Sequence, residues 1–215
     1  MISFDNTEIA FKSKSSKQLT KAYWLFKMVG NPGLVKFGKV ATDFALNLRL
    51  PINGIVKATI FQQFCGGENI KECTPTINEL GKFGVGTILD YSVEGKTSDE
   101  DFENTTLEII ETIKRGENDP FIPFAVFKVT GISRFGILER LNPENAVLTN
   151  EEQAEYNDLV ERVERICKEG FERNVPVFID AEESWIQDII DRLAYDMMLK
   201  FNQEKPIIYN TVQMY

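Results

Sequence analysis

Phe121-Ile-Pro-Phe-Ala-Val-Phe-Lys-Val-Thr130, then Thr149-Asn-Glu-Glu152 at the head of an apolar-striped stretch, then Val175-Pro-Val-Phe-Ile-Asp180: this succession decides the fold. The two apolar runs read as strands and the stretch between them as a helix. Thr149 and Glu152 have the spacing of a capping box. The stripe Leu159, Val160, Val163, Ile166 and Cys167 falls on one helical face. Strand, helix, strand in that order predicts parallel strands joined by a right-handed crossover. The strands are apolar almost throughout, which predicts burial on both faces.

The rhythm extends both ways. Upstream, Val85 to Val93 reads as a strand. The following helix is predicted to open at Ser98-Asp-Glu-Asp101 and to pack on Leu107, Ile109, Ile110 and Ile113. Downstream, Ser184-Trp-Ile-Gln187 is expected to cap a helix facing Ile186, Ile189, Ile190, Leu193 and Met197. The run Pro206 to Gln213 is a fourth strand. Residues 1–83 differ. They read as a helical arm with helices near 16–29, 34–48, 55–64 and 70–83, broken by Asn31-Pro32-Gly33, Pro51 and Gly66-Gly67. On the first of these, Leu19, Tyr23, Leu25, Phe26 and Val29 form a rough apolar face. Residues 84–215 carry the four strand–helix units. An open doubly wound sheet and a closed barrel both satisfy that order.

Composition removes several functions. The chain has 215 residues, 43% of them apolar, and a net charge of −9, which disfavours binding along a nucleic-acid backbone. It contains no histidine, so Ser-His-Asp and Cys-His machinery and most zinc sites are excluded. Cys65, Cys73 and Cys167 are odd in number and have no CxxC spacing, so they are expected to be ordinary thiols. No apolar run approaches the roughly 20 residues of a membrane span. Met1 to Lys14 has no signal-peptide pattern. A cytoplasmic protein is expected, able to visit the inner face of a membrane.

Each strand run ends in polar groups: Asp90 and Tyr91, Lys128 and Thr130, Asp180 and Glu182, Asn210 and Gln213. Alternation puts Lys128 on the face of Phe124, Val126 and Thr130. It puts Asp180 with Phe178 and Glu182, and Gln213 with Tyr209 and Thr211. In β/α barrels and open sheets alike, that end of the strands is where chemistry and ligands gather. A lysine among apolar residues needs a partner, and Asp180 offers one if the second and third strands are neighbours. Each residue also has a plainer reading: Lys128 at a solvated edge, Asp180 as a helix cap, Gln213 as a solvated amide, Asp90 in a turn. Asp180-Ala-Glu-Glu183 could attract a divalent cation, but the same residues suit the start of a helix, and no metal is expected. Gly84-Val-Gly86 precedes a strand and is read as a turn.

Several blocks together resemble the proline dehydrogenase family, the flavoenzymes that begin proline catabolism. They are Thr59-Ile-Phe-Gln-Gln-Phe-Cys-Gly-Gly-Glu68, Gly84-Val-Gly-Thr-Ile-Leu-Asp-Tyr-Ser-Val-Glu94, Phe127-Lys-Val-Thr130, Phe178-Ile-Asp-Ala-Glu-Glu-Ser184 and Tyr209-Asn-Thr-Val-Gln-Met-Tyr215. The resemblance implies a distorted (βα)8 TIM-type barrel that holds FAD. It implies an oxidoreductase converting L-proline to 1-pyrroline-5-carboxylate, with a membrane quinone as electron acceptor. By position, Lys128 matches the lysine on the substrate carboxylate and Asp180 the active-site aspartate. Ala181 matches a residue whose backbone faces the flavin, and Gln213 the amide at its ring. Family members have further strands, an arginine near the flavin and a C-terminal helix with two arginines and a glutamate. This chain stops before them and is expected to hold the first four βα units of the barrel. Its open edges would favour self-association, with little activity alone. Two other readings stay open: a Schiff-base aldolase using Lys128, and a half-barrel module without catalysis.

Overall fold

The structure, a computed structural model, describes residues 5–91, 95 and 97–214. The chain divides into two units, Met1–Phe83 and Gly84–Tyr215.

The first unit is helical. It contains α1 (Thr7–Ala10), α2 (Ser16–Val29), α3 (Pro32–Asn47), a broken helix and α6 (Ile70–Gly81). Ser15 and Gln18 form a full capping box at α2. Asn31 caps α3, with Pro32 at its first turn, where a missing N–H costs nothing. The stretch expected to be one helix over 55–64 is instead α4 (Asn53–Val56), a π-helical turn (Lys57–Phe61) and α5 (Gln62–Phe64). The α2 face is largely uncovered: Leu25 is buried, while Leu19, Tyr23, Phe26 and Val29 stay exposed. The helical period is real, but burial needs a second surface, and α3 buries none of its residues.

The second unit is built on a parallel sheet of β1 (Ile88–Leu89), β2 (Phe124–Phe127), β3 (Val177–Ile179) and β4 (Ile208–Asn210), in the spatial order β1-β2-β3-β4. That sequential order has no reversal, so the described sheet has no switch point of a doubly wound fold. The strands are shorter than their apolar runs. Lys128 and Asp180 lie one residue beyond β2 and β3, and Thr130 falls in a 3-10 turn, Val129–Gly131. Part of the first expected strand, Ser92 and Val93, lies outside the described residues, as do Glu94 and Tyr215.

The crossovers are α7 (Asp99–Gly116), α8 (Phe135–Leu141), α9 (Asn150–Arg173) and α10 (Gln187–Phe201). Thr149 and Glu152 make the expected capping box on α9. At α7, Ser98 accepts from the Asp101 N–H. Ser184 does not cap α10. That helix begins at Gln187 without a side-chain cap, because Ile186, which has no polar group, stands at the N-cap; the Gln187 side chain instead accepts from the Glu182 N–H. Helix α8 formed within a stretch read as a plain connector; its Ile137, Leu138 and Leu141 are buried.

One core joins Ile109 and Ile113 of α7, Leu159, Val163, Ile166 and Cys167 of α9, and Ile189, Ile190, Leu193 and Met197 of α10 to Ala125, Phe127, Val177, Ile179 and Ile208 of the strands. Leu107, expected inside, is exposed, and Phe102, Thr105, Thr106 and Thr112 are buried in α7 instead. The threonines tolerate this because each hydroxyl donates to a carbonyl one turn back, as Thr106 does to Phe102 O at 2.8 Å. α9 comes very close to β3. A Cβ on Gly170 would lie 2.4 Å from Val177 Cγ2 and 2.9 Å from Val175 O, so only glycine fits there.

Burial on both faces, expected from the apolar strands, is not what the structure shows. Ala125, Phe127, Val177, Ile179 and Ile208 are buried on the helix side, while Phe124, Val126, Phe178 and Tyr209 on the other side are only half-buried. The half-buried aromatics cover one another instead. The Phe124 and Phe178 rings stack at 4.5 Å, and Tyr209 meets them at 5.6 and 5.4 Å.

Candidate active site

The polar residues gather where this open face meets the C-terminal ends of the strands. β2 and β3 are neighbours, paired from Ala125↔Val177 to Phe127↔Ile179. The ladder continues as Asp180 N donates to Phe127 O at 3.0 Å. Lys128 and Asp180 therefore leave the sheet side by side, on the face of Phe124 and Phe178. Both are half-buried. Next along the sheet, Ile179↔Asn210 pairs β3 with β4 and sends Thr211 out beside Asp180.

Thr211 is the junction of this cluster. Its hydroxyl donates to Asp180 Oδ1 at 3.0 Å and accepts from the Ala181 N–H at 2.6 Å. Asn210, pointing the other way, donates to Asp191 Oδ1 of α10 at 2.7 Å and accepts from Thr211 N at 3.0 Å. Gln187 also donates to Asp191 Oδ1, at 2.8 Å, and accepts from Glu182 N at 2.9 Å. Gln213, exposed, turns its Nε2 onto the carbonyls of Ala181 at 3.3 Å and Glu182 at 2.9 Å. Asp180 thus caps no helix; its carboxylate is held by Thr211, one residue beyond β4.

Glu182 reaches the opposite way, across to β2. Its Oε1 accepts from Thr130 N at 3.0 Å and its Oε2 from the Thr130 hydroxyl. Burial pushes the Glu182 carboxyl above its ordinary range, and Glu183 adds to this. The two hydrogen bonds from Thr130 and the positive charge of Lys128 pull the other way without cancelling it.

Three of the four expected site residues sit as the strand pattern placed them: Lys128, Asp180 and Gln213 share one end and one face. Ala181 is there too, but its N–H is committed to Thr211, and its carbonyl receives Gln213. Tyr91 and Asp90, at the end of β1, are exposed. Sequence pattern puts Thr211 on the face of Gln213 and Gln187 at a helix start, but gives neither its role in this cluster. A threonine in a β run looks like an ordinary strand former, and Gln187 looked like the close of a capping box. Parity with Tyr209 and Gln213 sets the face of Thr211 but not its bond to Asp180. A separate cleft of about 1310 Å³ lies within the helical arm, lined among others by Phe11, Leu19, Phe26, Phe64 and Leu80. None of the strand-end residues lines it. Among the described residues, no three His, Cys, Asp or Glu side chains gather as a metal-holding group.

Comparison with known proteins gives this geometry its family. The profile of proline dehydrogenase matches residues 73–215, which takes in all four strands and every strand-end residue above. The chain belongs to the proline dehydrogenase family. It is 32% identical over 206 residues to proline dehydrogenase 1, mitochondrial, of Dictyostelium discoideum, covering 79% of this chain and 36% of that one. It is 29% identical over 152 residues to the carbapenem antibiotics biosynthesis protein CarD of Pectobacterium carotovorum, covering 71% and 40%. Hydroxyproline dehydrogenase of Xenopus laevis is 23% identical over 95% of this chain and 51% of its own length. In fold, it is similar to the crystal structure of proline utilization A from Bdellovibrio bacteriovorus inactivated by N-propargylglycine. The TM-score there is 0.60 at 16% identity, over 98% of this chain and 22% of that one. The chain spans between about a third and a half of the length of these three curated relatives.

Proposed function

We propose that this chain provides the substrate-carboxylate side and one flavin edge of an FAD-dependent proline dehydrogenase, and that β1 to β4 are the first four strands of a (βα)8 barrel. One observation carries the reading. Lys128, Asp180 and Gln213 come from three successive parallel strands and reach the same end on the face the helices leave open. In a barrel that end of the strands holds the catalytic groups.

The residues present suit a flavin edge. The Gln213 amide is tethered at the strand end by two carbonyls, and Ala181 beside it adds almost no bulk. Donation from the Ala181 backbone to a ligand would first have to break a 2.6 Å hydrogen bond to Thr211, so Gln213 is the better contact of the two. Removal of two electrons from proline, giving 1-pyrroline-5-carboxylate, is the chemistry FAD supplies when bound.

The chain's own residues do the rest. Lys128 takes the carboxylate of L-proline as a charge-assisted hydrogen bond and fixes the ring's register. Asp180, held by Thr211, sets negative charge beside Lys128. None of these groups has to abstract a proton if proline arrives with its amine neutral.

A membrane quinone is the proposed electron acceptor. Placement is proposed as cytoplasmic, with contact at a membrane's inner face. Among the described residues no helix is long and apolar enough to cross a membrane, and the Dictyostelium relative is named as mitochondrial. The half-buried aromatic face, and the edges of β1 and β4 that are unpaired among the described residues, support self-association of the chain by itself.

Titration of FAD into the purified chain, followed by flavin fluorescence, tests the cofactor. Weak but saturable quenching that Gln213→Ala weakens further supports the reading. Unsaturable quenching, indifferent to Gln213, overturns it. Borohydride trapping of a carbonyl compound on Lys128 would point to Schiff-base chemistry instead.

A further inference from the structure

We propose that Glu182 is the positioning residue for Lys128: it clamps the turn that follows Lys128 to the end of β3 and thereby sets where the ammonium is presented. The link to proline rests on the function proposed above; the clamp itself does not.

Lys128 is the N-cap of the 3-10 turn Val129–Gly131, with extended backbone at φ −102° and ψ 136°. Two backbone bonds hold that turn, Gly131 N to Lys128 O and Ile132 N to Val129 O, each 3.1 Å. So short a turn has little strength of its own. The grip comes from across the sheet, where both carboxylate oxygens of Glu182 are used on Thr130, one on its N–H and one on its hydroxyl. Glu182 is in turn fixed from behind. Its N–H donates to Gln187 Oε1 at 2.9 Å, and its carbonyl accepts from Gln213 at 2.9 Å. The carboxylate therefore cannot follow the turn if the turn moves. Only Val129 separates Thr130 from Lys128, and the Lys128 charge is among those that act on Glu182. Asp180 and Glu183 are the other carboxylates next in line on β3 and its extension.

The chemistry asks for this residue type. Thr130 offers two donors. Glutamate meets both with acceptors, and glutamine would turn an NH2 toward one of them. Aspartate keeps the charge but is a methylene shorter. A plain strand-to-strand clasp would need only the grip, and Lys128 would be indifferent to the charge.

The experiment uses the 215-residue chain with 13Cε-labelled lysine, the Lys128 resonance being the one lost in Lys128→Arg. Glu182→Gln should shift the Lys128 13Cε resonance and speed exchange of the Thr130 amide on the order of tenfold, the equivalent of one lost hydrogen bond. Glu182→Asp, which keeps the charge but is too short to grip, should leave the Lys128 resonance displaced while Thr130 still exchanges fast, which separates charge from grip. If Glu182→Gln does not fold, Thr130→Val, which loses only the hydroxyl bond, should still shift the Lys128 resonance. A Lys128 resonance unmoved by these variants would overturn the proposal, whatever the Thr130 amide does. Kinetics separate the two readings. If Lys128 responds as stated while Glu182→Gln leaves KM for L-proline unchanged in the flavin-loaded enzyme, the clamp stands and the assignment of Lys128 to proline falls.

Discussion

Thr211→Val is the sharpest probe of the strand-end cluster. Valine keeps the β-branched shape and replaces the hydroxyl with a methyl. Two hydrogen bonds disappear at once: the one given to Asp180 Oδ1 at 3.0 Å and the one received from Ala181 N at 2.6 Å. An unmet backbone N–H costs about 1–3 kcal/mol, and a bond to a charged group is worth about 1.5–3 kcal/mol before solvent replaces part of it. Both partners are half-buried, so water recovers some of each term. The net loss should be about 2 kcal/mol. Thr211→Ser, which keeps the oxygen, should lose no more than roughly 0.5–1 kcal/mol, the cost of a missing methyl. Urea denaturation followed by far-ultraviolet circular dichroism reads this as a lower midpoint at unchanged slope. By heat, the Val variant should melt about 4–8 °C lower, at roughly 2–4 °C per kcal/mol for a chain of this size. If valine proves as stable as serine, Thr211 does not hold β3 to β4, and Asp180 must be placed by something else.

Other outcomes follow from single contacts. Gly170→Ala should destabilise by about 1–3 kcal/mol despite the better helix propensity of alanine, because its Cβ would meet Val177 Cγ2 and Val175 O; adding Val177→Ala should recover part of the loss in the same denaturation assay. Glu182 has a carboxyl raised in the folded state, so the stability it contributes is present below the ordinary glutamate range and lost as pH rises through the folded value; Glu182→Gln should flatten that part of the stability–pH curve, measured by urea midpoints. Burial pushes the Cys167 thiol up strongly, and Cys65 is exposed, so a disulfide reagent should label Cys65 in the native chain and Cys167 only after unfolding. On the function proposed above, Lys128→Ala should lower kcat/KM for L-proline on the order of tenfold to a hundredfold in the flavin-loaded enzyme, assayed with a quinone analogue, as expected for one charge-assisted hydrogen bond.

Much of this protein was legible without a structure, for physical reasons. The alternation of apolar runs and helical stripes specified parallel strands and crossovers, because those periods are the geometry of strand and helix themselves. The parity of Lys128 with Val126, of Asp180 with Phe178 and of Gln213 with Tyr209 specified a shared face, since a strand turns its side chains over every second residue. The absence of histidine closed off whole classes of chemistry.

What tertiary structure decided was which groups meet. Nothing in Val175 to Asp180 says that only one face would be covered; that depends on where α7, α9 and α10 pack. Ser184 has the spacing of a cap, but the helix starts later, with Ile186 at its N-cap, and Gln187 binds the Glu182 N–H instead. The partner of Asp180 could be sought on any neighbouring strand, and the β3–β4 register gave it Thr211 from 31 residues away. Glu182, one of three carboxylates in four residues, was singled out because strand pairing carries Thr130 to it across 52 positions of sequence. Local pattern sets the direction in which a side chain leaves the backbone, whereas its partner is set by packing between segments far apart in the chain, and that information is in no single stretch of residues.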